Sequence, residues 1–497
     1  MTIRLAGIAL LIAAAGAQHA RADDAALPRS APELQGVSSR ALLAFTDAAD
    51  KLGTMHSFML VRHGHVVAEG FWEPYDRDTA HDMFSVTKSF TSTAVGLAVS
   101  EGKLSVAAPV LDFFPERAPS SVSPHLQAMQ VKHLLTMTTG HAEEASGRDG
   151  DGDGDAVQQF LARPIPFPPG THFLYNTPAS HVLSAIVQKV TGQSVREYLR
   201  TRLFTPLGIE LPPWAASPDG VTIGGYGLSL RTEDLAKFAE LYLRKGSWRG
   251  RQLLAADWIE AATSRQVATG PSVRGDWGRG YGYQFWRSRH GYRADGAFGQ
   301  FALVLPEHDA VVAITSGTED MQAVLKLVWD KLLPALAAGT LPLDDANARR
   351  LQARLAKLML APRKGTLMPD HPERFSGQRY VFPDADGSPG EVSLAWNEAE
   401  QLATLTLLLH GKEQRIQCRS GAWIKARAAL FDEQAIPIAA SCAWSSRDTL
   451  AVRLRLCESS WHIDYHLTFD GKRLRTRETR KHTFLPQGPF DRIGHRK

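Results

Sequence analysis

Residues 84–90 read FSVTKSF, so Ser85 and Lys88 stand three apart. Three residues is close to one helical turn, which puts both side chains on one face. The pair follows a strand hairpin and opens an apolar helix. The backbone N–H of Ser85 therefore points out of a helix N-terminus, where negative charge is favoured. Lys88, flanked by apolar residues, would have its ammonium partly desolvated and its pKa lowered. A lysine tuned in that way takes a serine proton and makes an activated nucleophile. Spacing alone favours a blander reading, an N-cap serine beside a surface lysine, because a bare S-x-x-K arises by chance about once or twice in a chain of this length. A second instance, Ser100 to Lys103, ends a helix and reads as structural.

The elements around the pair follow from periodicity. SFMLVRHGHVVAEGFW (57–72) reads as a hairpin folded about His63-Gly64-His65. The two histidines are turn residues on this reading, not metal ligands. Phe90, Ala94, Leu97, Ala98 and Val99 recur at helical spacing after Lys88, and Gly102 is the stop. RTEDLAKFAELYLRKG (231–246) is amphipathic, with Thr232 and Asp234 suited to its first turn. ALVLPEHDAVVAITSG (302–317) predicts two strands about a turn, and residues 320–336 a helix that packs back on them. RDGDGDGDA (148–156) begins like a calcium loop, with Asp149, Asp151 and Asp153 in place. The twelfth position is Phe160 where a bidentate glutamate belongs, so no metal is expected.

Beyond a Pro/Gly-rich linker (346–372) the pattern becomes strands. WHIDYHLTF (461–469) and TLAVRLRL (449–456) alternate apolar and polar residues, and Asp470-Gly471 supplies a hairpin turn. Residues 373–497 are therefore expected to form a separate β-rich domain. Its Trp396, Trp423, Trp444 and Trp461 read as core and not as a ligand platform. The basic residues of 471–482 read as a solvated strand face. Three cysteines, Cys418, Cys442 and Cys457, allow at most one internal disulfide, with Cys442 free to join either of the others.

The first 22 residues place one basic residue, Arg4, ahead of an apolar run from Leu5 to Ala17, and close with the small-x-small site Ala20-Arg21-Ala22. That pattern predicts a secretory signal peptide cleaved after Ala22, and a periplasmic or secreted protein without stable membrane insertion. At 497 residues and 44% hydrophobic content the chain can bury a large core in two domains. A net charge of +4 is small for this length and makes no case for nucleic acid as a partner. No spacing implies a cofactor or a metal, and composition says nothing of oligomeric state.

The run MFSVTKSFTSTAVGLAVSEGKL, with KHLLTMTTGH (132–141), PPGTHFLYNTPASHVLSAIVQKVTGQS (168–194), GGYGLSLRTEDLAKF (224–238) and GYRADGAFGQFALVLPE (291–306), resembles serine hydrolases of the β-lactamase/penicillin-binding protein superfamily. It is most similar to the branch holding class C β-lactamase-like esterases and 6-aminohexanoate-dimer hydrolase. The resemblance spans roughly residues 40–340, within an expected hydrolase domain of 23–345, and its blocks occur in family order. It implies an α+β, DD-peptidase/β-lactamase-like fold: an antiparallel sheet flanked by helices, with a helical subdomain, followed here by the small all-β C-terminal domain. It also implies that Ser85 is the nucleophile, Lys88 its base partner and Tyr175 the proton-shuttling tyrosine; whether Lys88 or Tyr175 is the general base stays open.

Two departures from the family pattern matter. Its Y-x-N element reads Tyr175-Asn176-Thr177, so Asn176 or Thr177 is left to hold a substrate amide. Its third element, K-T-G or H-x-G, reads Arg293-Ala294-Asp295-Gly296-Ala297. Arg293 could replace the missing cation for a substrate carboxylate, or face elsewhere. A backbone N–H near Gly296 or Ala297 is expected to complete the oxyanion hole with that of Ser85. A backbone donor survives side-chain change, so acyl transfer is less threatened than penicillin recognition. The expectation is an enzyme: an exported serine hydrolase of small ester, amide or peptide-like substrates, with weak or absent β-lactamase activity. The alternatives are a penicillin-binding cell-wall peptidase or β-lactamase, and a non-catalytic binding protein that uses the β-rich tail.

Overall fold

The computed structural model describes residues 26–144, 155–271, 273–365, 368–369, 371–383 and 389–497. The expected signal peptide and most of the calcium-like loop lie outside the described residues. Six strands make the central sheet: β1 (Met55–Arg62), β2 (His65–Phe71), β3 (Trp286–Arg287), β4 (Tyr292–Gly296), β5 (Gln300–Leu305) and β6 (Ala310–Ser316). Their order is β2-β1-β6-β5-β4-β3, and every neighbouring pair is antiparallel. The hairpins expected at 57–72 and 302–317 are both present.

Both faces of this sheet are covered, so the central strands are buried along their whole length. Successive side chains alternate between two cores. Met59, Val61, Ala302, Val304, Val311 and Ala313 point into the larger one, where the helices α2 (Thr87–Ser100), α3 (Thr177–Thr191) and α4 (Thr232–Leu243) also pack. Phe58, Leu60, Phe301, Leu303, Val312 and Ile314 face the other, beneath α1 (Ser39–Leu52). The helix expected at 320–336 starts as α-helix over Met321–Leu327, then widens to a π turn and tightens to a 3₁₀ turn.

The stretch read as a linker holds a helix, Asp345–Leu355. Leu351 sits in the second core, and the Arg354 guanidinium bridges Asp47 and Asp50 at 2.8 and 2.6 Å. Its low apolar content hid it from periodicity, because the buried Leu351, the partly buried Leu355 and one arginine do the docking. Arg363, further along the stretch read as a linker, is tied to the tail: its N donates to Ser441 Oγ at 2.8 Å.

Ten more strands form the tail: β7 (Arg379–Val381), β8 (Glu391–Asn397), β9 (Leu402–Leu409), β10 (Lys412–Arg419), β11 (Ile424–Ala428), β12 (Ile436–Trp444), β13 (Thr449–Leu456), β14 (His462–Asp470), β15 (Arg473–Lys481) and β16 (Phe490–Arg496). Their order is β10-β9-β8-β7-β16-β15-β14-β13-β12-β11. The two outermost strands are consecutive in the chain, and Ala429 N donates across to Gln414 Oε1 at 3.0 Å, which gives the sheet a barrel-like form. Trp444 belongs to its core, with Trp396 and Trp461 packed against it and Trp423 buried nearby. All three cysteines are buried thiols, so neither pairing considered for Cys442 is made.

The barrel-like sheet docks on the part of the chain that holds the central sheet. Tyr75 Oη donates to Ser459 O at 2.9 Å, and Asp82 N to Glu458 O at 2.8 Å. Four imidazoles gather at this junction, His56 and His81 from one side and His462 and His482 from the other, around the buried Arg455. Burial pushes His81 and His482 down to about 4, and lowers His56 and His462 as well. Each is therefore neutral when folded and gains a proton on unfolding below its ordinary value near 6.5. The unfolded chain binds more protons there, so stability falls as pH drops from about 6.5 toward 4. His81 alone is expected to cost about 2 kcal/mol by pH 5. A thermal melt series from pH 7.5 to 5 should show a steadily falling midpoint; a flat profile would contradict this account.

Candidate active site

Ser85 lies in a 3₁₀ turn, Phe84–Val86, that runs directly into α2. Its amide is a first-turn amide, for which the helix provides no internal acceptor. The turn is held from below, since Met83 N donates to Leu228 O at 2.8 Å and Phe84 N to Asp82 Oδ1 at 3.0 Å. One turn on, Lys88 is 1% exposed. Its Nζ lies 3.0 Å from Ser85 Oγ, donates to Gly225 O at 2.8 Å and stands 3.4 Å from Thr177 Oγ1. Lys88 Nζ thus reaches the Ser85 hydroxyl, a backbone carbonyl and the Thr177 hydroxyl at once.

Helix α2 is buried on all sides despite its hydroxyl-rich sequence. Ser89 Oγ donates to Gln284 O, Thr91 Oγ1 to Gly224 O, and Thr93 shares a 2.8 Å bond with the Tyr242 hydroxyl. These bonds offset the cost of burying polar groups and lock the helix that carries the pair.

Tyr175 arrives from the segment ahead of α3, whose first positions are Thr177 and Pro178. Its hydroxyl faces the Ser85 side chain, and its ring stacks on Trp286 at 5.6 Å and 20°. Burial pushes this phenol well above its ordinary range; the Ser85 hydroxyl acts the other way, and the Asp295 and Glu144 charges add to the rise. Tyr175 is thus a neutral phenol at neutral pH. The Lys88 ammonium position lies 5.0 Å from its ring centroid. Ser85 Oγ is therefore flanked by an amine that can take a proton and a phenol that can give one.

The far wall is the end of β4. A Cβ at Gly296 would lie 2.3 Å from Met83 O, so only glycine lets this strand close against the turn that bears Ser85. Ala297, next along, is partly exposed beside it. Ser85, Lys88, Tyr175, Gly296 and Ala297 are thus brought together.

Asn176 and Arg293 are not. Asn176 is fully buried, its carboxamide has no partner among the described residues, and the partly exposed Thr177 occupies the site beside Lys88 instead. Arg293 is also fully buried. Its Nε donates to Asp295 Oδ2 at 2.7 Å and its Nη1 to Ser288 Oγ and Arg287 O, while its guanidinium packs on Trp277. Alternation explains the pairing, because residues two apart on a strand share a face. The expected carboxylate-binding cation is therefore a structural ion pair.

Sequence reasoning missed Gly225. A Cβ there would meet Thr177 Cγ2 at 2.5 Å, so a glycine is needed for its carbonyl to reach Lys88. The adjacent glycines of GGYG were the available signal. Among the described residues, no group of three metal-ligating side chains converges, and no helix is long and apolar enough to cross a membrane.

The family model described as Beta-lactamase matches residues 51–332, more than half of the chain. The chain belongs to the Beta-lactamase family. Among relatives, it is 27% identical over 286 residues to the 6-aminohexanoate-dimer hydrolase of Paenarthrobacter ureafaciens, spanning 53% of this chain and 73% of that protein. It is 28% identical over 307 residues to penicillin-binding protein 4 of Amycolatopsis lactamdurans, spanning 53% and 79%. A Bacillus anthracis structure named for 6-aminohexanoate-dimer hydrolase superposes with a TM-score of 0.51 at 20% identity, covering 64% of this chain and 89% of that one. That likeness shows the β-lactamase/penicillin-binding fold. The family model ends at residue 332, ahead of β7–β16.

Proposed function

We propose that this Beta-lactamase-family protein is an exported serine hydrolase that cleaves an ester or amide through an acyl-serine at Ser85, with little or no β-lactamase activity. The observation that carries the reading is the 3.0 Å approach of Lys88 Nζ to Ser85 Oγ, with the Tyr175 ring 5.0 Å from the same Nζ. Lys88, as the neutral amine, takes the Ser85 proton while Oγ attacks the carbonyl carbon. The oxyanion is received by backbone N–H groups of Ser85 and the Gly296–Ala297 corner. Tyr175, held as a phenol, passes a proton to the departing oxygen or nitrogen and is reprotonated through Lys88. Water then attacks the acyl-serine by the reverse proton path and restores Ser85.

The burial of Arg293 supports the discrimination against β-lactams. A β-lactam or peptide terminus presents a carboxylate, and the cation expected to meet it is committed to Asp295. Export rests on the pattern of residues 1–22. The test is covalent labelling of the purified protein with a fluorophosphonate and a fluorescent penicillin, with the adduct located by peptide mass. The expected result is a fluorophosphonate adduct on Ser85 and no penicillin adduct. Labelling by both would move the assignment to a penicillin-binding protein or β-lactamase. No adduct with either would sink the nucleophile and favour a binding protein.

A further inference from the structure

The β-rich tail reaches the catalytic motif. Phe84 immediately precedes the proposed nucleophile, and Phe298 immediately follows the Ala297 amide proposed for the oxyanion hole. Their rings meet edge-to-face with centroids 5.3 Å apart. A third ring completes the cluster: Phe484 lies 5.1 Å from Phe298 and 6.0 Å from Phe84. Phe484 belongs to the connection between β15 and β16, some four hundred residues from Ser85 in sequence.

Three features set this cluster apart from ordinary packing. Phe84 and Phe298 both hold positive φ, 46° and 61°, a region that bulky residues rarely occupy and that gathers at functional sites. The segment carrying Phe484 is anchored: Ser460 Oγ donates to His482 O at 2.9 Å, and the His482 ring approaches both Phe298 and Gly317. Thr483 is buried, and its Oγ1 accepts from Leu485 N. Yet Phe484 itself is 53% exposed and Leu485 is 37% exposed, while the two rings behind Phe484 are buried. An anchored loop that presents an open aromatic face over a buried aromatic floor, at the shoulder of the nucleophile, has the form of a substrate wall.

We infer that Phe484 of the tail is a specificity-determining residue of the hydrolase site, forming with Phe84 and Phe298 an aromatic wall for an apolar, preferably planar, substituent of the substrate. The inference rests on the acyl-serine reading of Ser85. A ring laid on the exposed Phe484 face, itself backed by the buried Phe84 and Phe298, gains contact beyond its area, which the small acetyl group cannot collect. Discrimination by such a wall is worth about one order of magnitude in kcat/KM.

The experiment compares the full-length wild type, Phe484→Ala and the control Ile493→Ala, an exposed residue of β16 that pairs with Arg475 on β15. The probes are ethyl acetate, ethyl phenylacetate and benzyl acetate, with Ser85→Ala as the blank. Phe484→Ala is expected to lower kcat/KM about tenfold for one aromatic series relative to ethyl acetate, and about twofold or less for ethyl acetate itself. Loss on phenylacetate places the wall on the acyl side; loss on benzyl acetate places it on the leaving-group side. Ile493→Ala should track the wild type. An equal change across all substrates, or none, with Ser85→Ala inactive, would overturn the wall and leave the hydrolase reading standing. Full activity in Ser85→Ala would overturn the reading on which it rests.

Discussion

Ser85→Ala and Lys88→Met are each expected to lower ester turnover by about 10³–10⁴-fold without changing the fold. Removing either member stops the same step, so the double variant should be little worse than either single one. Ser85 is only partly buried, and its loss leaves no cavity beyond one hydroxyl. Lys88→Met keeps the length and apolar stem of the side chain but removes the nitrogen that meets Ser85, Gly225 and Thr177. It leaves the Gly225 carbonyl without a donor, a cost of about 1–3 kcal/mol. Tyr175→Phe should cost less, about 10²-fold, because a raised phenol contributes a proton and not the nucleophile's activation. Initial rates with a p-nitrophenyl ester, alongside circular dichroism, would measure all four proteins. A Tyr175→Phe loss as deep as that of Lys88→Met would move the base assignment toward the tyrosine.

Arg293→Met should be the most destabilising single change at the site, by about 3–5 kcal/mol, with little effect on KM for anionic substrates. The substitution leaves the Asp295 carboxyl buried without its ion-pair partner. Burial already pushes that carboxyl up, and Arg293 is the principal group holding it down. The chain would then protonate Asp295 or bury a bare charge, and either outcome weakens the fold. Replacing both partners with apolar residues, Arg293→Met with Asp295→Leu, should recover much of the loss, because a matched apolar pair leaves no charge behind. Chemical denaturation reads the stability, and KM for a carboxylate-bearing ester tests the recognition role. A large KM rise with unchanged stability would restore Arg293 as a substrate contact.

Much of the hydrolase part was legible because its signals are local. The hairpins at 57–72 and 302–317 and the helix from Thr232 follow from period and turn residues alone. The alternation in 449–456 and 461–469 likewise matches β13 and β14. Helix Asp345–Leu355 escaped notice because its docking relies on the buried Leu351, the partly buried Leu355 and an arginine that bridges two aspartates some three hundred residues away. The 320–336 helix was anticipated, but not its widening, which no residue in the stretch announces.

The candidate site divides in the same way. By itself the sequence determined Ser85 and Lys88 as a pair on one helical face, because one turn of helix is a local constraint. The order of its blocks added Tyr175 and the Gly296–Ala297 corner through family resemblance. Only the tertiary structure decided that Asn176 turns inward while Thr177 faces Lys88, that Arg293 is spent on Asp295, and that the Gly225 carbonyl completes the lysine's surroundings. It alone brought Phe484 beside Phe84 and Phe298. Local spacing determines which side chains share a face. Which side chains from distant segments meet there depends on how two cores and a barrel-like sheet pack, and that is a property of the whole chain.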